Sequence, residues 1–176
     1  MTTIADEQPR IYVACLTAYN AGWLHGVWID ATDDVDAMQK QIDDMMNKSP
    51  FTDSEEWAIH DFECFGGRFI NEHDNLEKIA DFISLFDKYG KAAVSAYMEN
   101  HGNFDEAHFN ETFVAECDNP RDWLYDQFEE LCLAGLDKSA REIAMRYISR
   151  QVAIDAVSDY YTVIKSGTSH IIFGEG

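Results

Sequence analysis

An α+β fold is what this sequence predicts, and three observations predict it. β-Branched and aromatic residues crowd into residues 10–19 and 23–29 around a turn. Apolar residues recur at helical spacing through residues 33–47, 76–89 and 120–148. A last pair of β-rich runs lies at residues 160–173. Strands read by period two and helices by period 3.6 are the two signals at work.

The elements follow in order. Arg10–Tyr19 is a strand, Asn20-Ala21-Gly22 a three-residue turn, and Trp23–Ile29 the returning strand of a hairpin. Thr32 or Asp33 caps a helix to about Asn47, with Val35, Met38, Ile42, Met45 and Met46 on one arc. Asp33, Asp36, Asp43 and Asp44 fall on the opposite side, interrupted by Lys40. Trp57–Glu63 alternates apolar and polar as a third strand, with a register slip near Asp61. In the middle, Leu76, Ile79, Phe82, Ile83 and Phe86 share a helix face ending at Gly90, and a second helix runs from Ala92 to about Asn100. Phe104 to about Glu116 continues this helical middle with a weaker pattern. Asn119-Pro120 caps and starts the next helix, striped with Trp123, Leu124, Phe128 and Leu131 and ended by Gly135. Ser139-Ala140-Arg141-Glu142 reads as a capping box for a helix carrying Ile143, Ala144, Tyr147 and Ile148 inward. Tyr160–Lys165 and His170–Phe173 form a terminal hairpin.

Charge divides the chain differently from periodicity. Thirty-three acids face thirteen bases, a formal net charge of -20 on 176 residues. Residues 1–60 carry 11 acids and 3 bases, 61–120 carry 13 and 4, and 121–176 carry 9 and 6. Such acidity often accompanies disorder, but 46% hydrophobic and 13% aromatic residues can bury a core. The charge must then sit on the surface and oppose compaction. It excludes direct DNA binding, which needs a basic face, and it attracts basic protein surfaces. Carboxylates three to seven residues apart on a helix lie about 5 to 10 Å apart along its axis, a spacing comparable to phosphates. A protein lined with them can occupy the basic groove of a DNA-binding enzyme.

Catalytic signatures are missing. The sequence has no G-x-x-x-x-G-K-[ST], G-x-G-x-x-G, H-E-x-x-H or G-x-S-x-G, and no EF-hand loop. His60 and Asp61 point to opposite faces if their strand is regular, which defeats a shared metal site. His101 and His108 with Asp105 and Glu106 lack helical ligand spacing, and Cys15 can be set against His25 only by guessing a register. Cys15, Cys64, Cys117 and Cys132 sit among apolar residues without a C-x-x-C pair and read as free, buried thiols of a reducing compartment. The first residues carry no signal-peptide pattern and no window approaches a membrane span, so the expected protein is soluble and cytoplasmic. No enzyme activity, metal or cofactor is expected.

Three ordered segments carry a resemblance. Ile11–Gly22 with Leu24–Asp30, then Trp57–Glu63, then Leu133-Ala134-Gly135-Leu136 with Ser139, Ala140, Ile143, Ala144, Tyr147 and Ile148 resemble the signatures of ArdA-type antirestriction proteins. Where that family usually continues Gly-Phe after the second signature, this chain has Cys64 before Phe65. The resemblance implies a non-enzymatic DNA mimic of mobile elements that fills the DNA-binding groove of type I restriction–modification enzymes and blocks restriction, often with methylation. It also implies an elongated chain of three small subdomains dimerised through its C-terminal part: residues 1–66 (sheet and helix), 67–116 (helical and acidic) and 117–176 (α/β). The near-neutral last third agrees with a dimer interface, so Leu133, Gly135, Leu136, Ser139, Ala140, Ile143, Ala144, Tyr147 and Ile148 are expected to build it. The expected phosphate mimics are Asp33, Asp36, Asp43, Asp44, Asp53, Glu55, Glu56, Glu72, Asp74, Glu77 and Asp81. The alternative is an acidic adaptor for a basic nucleoid or transcription protein.

Overall fold

A computed structural model of the chain describes residues 8–52 and 54–175. The chain divides into two compact units, Met1–Asn103 and Phe104–Gly176. Each holds one three-stranded antiparallel sheet beside its helices, which makes the protein α+β.

In the first unit the strand order is β2-β1-β3, with β1 (Arg10–Cys15) central between β2 (Gly26–Asp30) and β3 (Trp57–Glu63). Ile11, Val13, Ile29 and Ala58 are buried from the sheet. They share this core with Met38, Ile42 and Met45 of α2 (Val35–Met46), the arc that periodicity selects. Asp34, one residue beyond the expected cap, starts α2 by accepting from Ala37 N at 2.9 Å. The expected hairpin is shorter than its strand pattern. After Cys15 the chain coils into a single helical turn, α1 (Leu16–Asn20), with Cys15 Sγ accepting from Ala18 N at 3.4 Å. Strand alternation would send Cys15 and Ala18 to opposite faces; the turn, with its i to i+3 spacing, buries both. β2 can pair so closely because residue 26 is glycine: a Cβ there would stand 2.5 Å from Val13 O.

β3 does carry a register slip. Tyr12 pairs with Asp61 but Val13 with Ile59, so His60 is the extra residue of a β-bulge. Beyond β3 the chain turns at Cys64, whose φ of 64° is left-handed, and enters α3 (Leu76–Tyr89) and α4 (Lys91–His101). α3 buries Leu76, Ile79, Ala80, Phe82 and Ile83, and Gly90 stops it as expected.

The second unit opens differently from the expected helical middle. Residues 104–116 contain one short helix, α5 (Glu106–Thr112), followed by a strand, β4 (Phe113–Cys117). β4 pairs with β6 (Ser169–Gly174), which also pairs with β5 (Tyr161–Ser166), giving the order β4-β6-β5. Phe109 stacks on Phe113 at 5.1 Å between centroids, and Phe173 meets both rings. α6 (Pro120–Cys132), α7 (Lys138–Tyr147) and α8 (Arg150–Ser158) complete the unit. Leu124, Phe128, Leu133, Ala153, Ile154 and Val157 form a second core from α6, its C-cap and α8. Periodicity does not reveal α8, where the buried set is only Ala153, Ile154 and Val157. Gly135 is not the stop of α6, which ends at Cys132 with Leu133 as C-cap. Nor is Ser139 a cap: Asp137 takes that role, accepting from Ala140 N at 2.9 Å.

Candidate partner-binding surface

The expected carboxylates fall on three supports. α2 presents Asp36, Asp43 and Asp44 to solvent, with Asp33 exposed just before it. Over seven residues of helix, Asp36 and Asp43 stand about 10 Å apart along the axis. Gln39 Nε2 donates to Asp43 Oδ1 at 2.8 Å and steadies that side chain. Glu55 and Glu56 are exposed before β3, while Asp53 lies outside the described residues. Around the start of α3, Glu72, Glu77 and Asp81 are exposed.

Asp74 is a different kind of acid. It is half-buried and accepts from Asn71 N at 2.9 Å and from Asn71 Nδ2 at 3.3 Å, with Lys78 Nζ at 3.9 Å. The backbone N–H of Asn71 is the main force holding its carboxyl below the usual range; burial opposes that, and the Asn71 amide, Lys78 and Arg68 add to it. Asp74 therefore builds the turn before α3.

A second acidic run was not among the expected residues. Residues 104–118 hold Asp105, Glu106, Glu111, Glu116 and Asp118 without one base, and all five are exposed on α5, β4 and their flanks. The visible signal was that absence of Lys and Arg, obscured because a tally over residues 61–120 pools the run with Arg68, Lys78, Lys88 and Lys91. By structural unit the charge is 19 acids against 7 bases in residues 1–103 and 14 against 6 in 104–176, so -12 and -8. The neutral stretch starts only at α6. There the bases tie helices together: Arg141 to Leu133 O at 3.2 Å and to Glu129 at 3.6 Å, and Arg150 to Asp122.

The residues of the third signature separate into two sets. Leu133 is buried, and Ala144 and Ile148 pack against the α6–α8 core. Ile143 (59% exposed), Tyr147 (80%) and Leu136 (42%) face outward, which corrects the inward placement of Ile143 and Tyr147. The reason is that α7 buries no residue fully, so its apolar arc straddles the core edge. Gly135 and Ser139 are exposed, and Ala140, half-buried, precedes Ile143 by three residues.

Other candidate chemistry resolves simply. His25 Nε2 is 2.8 Å from Met45 O, and Cys15 Sγ is 3.6 Å from Ser49 Oγ, so each side chain is engaged structurally. Cys15 is buried and Cys64 and Cys117 half-buried, but Cys132 is exposed, against expectation. Burial first, then Asp118 and Glu116, pushes the Cys117 thiol up. Among the described residues no group of three or more His, Cys, Asp or Glu is placed to hold a metal, and no helix is long and apolar enough to cross a membrane.

A protein-family model described as "Antirestriction protein (ArdA)" matches residues 11–169. No curated protein matches the chain.

Proposed function

The chain belongs to the ArdA family of antirestriction proteins, and on that premise we propose that it acts by mimicking DNA, filling the DNA-binding groove of a type I restriction–modification enzyme. What supports this reading is the distribution of acids: both structural units carry a large net negative charge, -12 and -8. Their carboxylates stand on the exposed sides of elements whose other sides are core, as in α2 and α3. Helices α2 and α3 hold Asp36, Asp43, Asp44, Glu77 and Asp81 at fixed spacing, so for these the ordering entropy is already spent before binding. A basic groove that evolved to release counterions from DNA gains the same entropy and steering from such a surface. The mimicking residues are Asp33, Asp36, Asp43, Asp44, Glu55, Glu56, Glu72, Glu77 and Asp81, with Asp53 from sequence alone and Asp74 in a supporting role.

The functional form is a dimer joined through the C-terminal part. Its seam is the outward face of α7 with Leu136, where an apolar strip lies on the least charged stretch of the chain. The deciding experiment is competition. The protein should displace duplex DNA from a type I methyltransferase core, with affinity falling steeply as salt rises from 50 to 200 mM. Simultaneous binding of DNA and this protein to the enzyme would reject the mimic and favour an adaptor.

A further inference from the structure

The first unit contains a cleft that charge alone does not explain. It has a volume of about 470 Å³ and is walled by Tyr19, His60, Phe62 and Phe69, with Asp61 and Glu72 among its lining residues. Two of its rings are conspicuously outside any core, Tyr19 at 53% and Phe69 at 71% exposure. They are nonetheless held in place. Tyr19 meets His60 edge to face at 4.6 Å, and Phe69 meets Phe62 edge to face at 5.3 Å. In an edge-to-face pair one face of one ring is covered by its partner's edge, while the ring that offers its edge keeps both faces, the negative part of its quadrupole, uncovered by that partner.

The bulge in β3 is what assembles this site. In a regular strand His60 and Asp61 would occupy opposite faces; the extra residue at His60 lets both line one cleft. Asp61 Oδ1 accepts from Phe62 N at 2.8 Å, which orients the carboxylate. Glu72 is anchored by its own backbone, whose carbonyl accepts from Ile59 N at 3.0 Å. The cleft thus combines aromatic walls held by ring contacts with two carboxylates, Asp61 and Glu72, among its lining residues.

We propose that this cleft receives an arginine side chain from the basic protein partner. A guanidinium is planar and weakly hydrated, so it stacks on ring faces while its N–H fork engages carboxylates. An ammonium does the second but keeps its water. Cation–ring contacts already occur within the molecule, three by arginine and one by lysine: Arg10 lies 5.4 Å from the Trp28 ring centroid, Arg68 4.6 Å from Phe82, Arg150 4.9 Å from Tyr125 and Lys88 5.0 Å from Tyr89. At Tyr19, Phe62 and Phe69 the same surface chemistry is turned outward. The identity of the occupant rests on the mimic reading, which supplies a basic partner; the arginine preference rests on the cleft.

The test is a nuclear magnetic resonance titration of the full chain with two capped pentapeptides, Gly-Arg-Gly-Arg-Gly and Gly-Lys-Gly-Lys-Gly, of equal charge. The arginine peptide should shift the ring resonances of Tyr19, Phe62 and Phe69 and bind roughly threefold tighter than the lysine peptide. Phe69→Ala should erase that preference, weakening the arginine peptide more than the lysine peptide; Phe69→Leu, which keeps an apolar side chain, should not restore it. Glu72→Gln should weaken both peptides. Equal affinity for the two peptides, or shifts spread over α2 and α3 with none at the rings, overturns the inference. So does a change of oligomeric state in Phe69→Ala, which would make the face a contact between copies. In the DNA competition assay, wild-type protein that displaces DNA alongside an equally potent Phe69→Ala rejects the cleft and spares the mimic. Wild-type protein that fails to displace DNA rejects the mimic, and the peptide pair still judges the cleft.

Discussion

Cys64 shows how one residue can hold a backbone conformation at a physical cost. It is the only non-glycine among the described residues with positive φ, at 64°. An L-residue there costs about 1–2 kcal/mol, and a glycine would remove the strain while adding unfolded-state freedom of about 0.5–1 kcal/mol. Cys64→Gly should therefore leave stability unchanged or raise it by up to about 1 kcal/mol, whereas Cys64→Val should lower it by more than about 1 kcal/mol, both read by urea unfolding. Asp74 makes the second prediction at this scale. Its folded-state pKa lies below the unfolded value of about 3.9, so its stabilisation is fully present above that pH and is lost as pH falls through the folded value. Asp74→Ala should cost about 1–2 kcal/mol at pH 7, with the difference from wild type shrinking below about pH 4. Asp74 was legible as an acid but not as a turn-builder, because its partner Asn71 is chosen by the loop's path. The positive φ at Cys64 was hidden for the same reason: a side chain does not announce a conformation that its neighbours impose.

Elements were legible where their own residues decide them. α2 and α3 follow from single apolar arcs, and Asn119-Pro120 fixes the start of α6 with its N-cap bonds to Arg121 and Asp122. The failures share a cause, which is reliance on a distant partner. β4 has five residues and pairs with β6 more than fifty residues later, Cys117 opposite His170. α8 becomes intelligible only against α6, whose Leu124 and Phe128 it covers. α7 is the instructive intermediate case: its apolar positions are real, but Ile143 and Tyr147 point away from the unit's core. Replacing both with serine should change the stability of the isolated subunit by no more than about 0.5 kcal/mol each. The same double variant should shift a dimer to monomer by sedimentation; a dimer that persists unchanged removes α7 from the interface.

At the scale of the molecule the charge is a collective property, and its test is collective. Among the described residues no candidate carboxylates are grouped so as to hold a metal, and each contributes through the field it adds. Single Asp→Asn changes at Asp36, Asp43 or Asp44 should each weaken inhibition severalfold or less, whereas neutralising all three together with Glu77 and Asp81 should weaken it by orders of magnitude, as loss of several released counterions demands. One substitution that abolishes inhibition would instead mark a discrete site. The net charge was countable in the sequence, but its partition was not. The near-neutral stretch from residue 121 was already visible, but only the unit boundary at Asn103 and Phe104 reveals that both units are strongly acidic.

The order β4-β6-β5 also dictates a history for the second unit. β5 and β6 are joined by two residues and can zip early, and the α6–α8 core joins residues nearer in sequence, Leu124 to Val157, than Cys117 and His170 of β4 and β6. β4 must wait, since β6, its strand partner among the described residues, follows α6, α7 and α8 in the chain, and the closure of so long a loop is entropically late. The acidic segment from α5 through β4 is therefore the last part to dock and the first to loosen. Amide hydrogen exchange should find β4 less protected than β5, leaving a cluster of negative charge on the most yielding strand of its sheet.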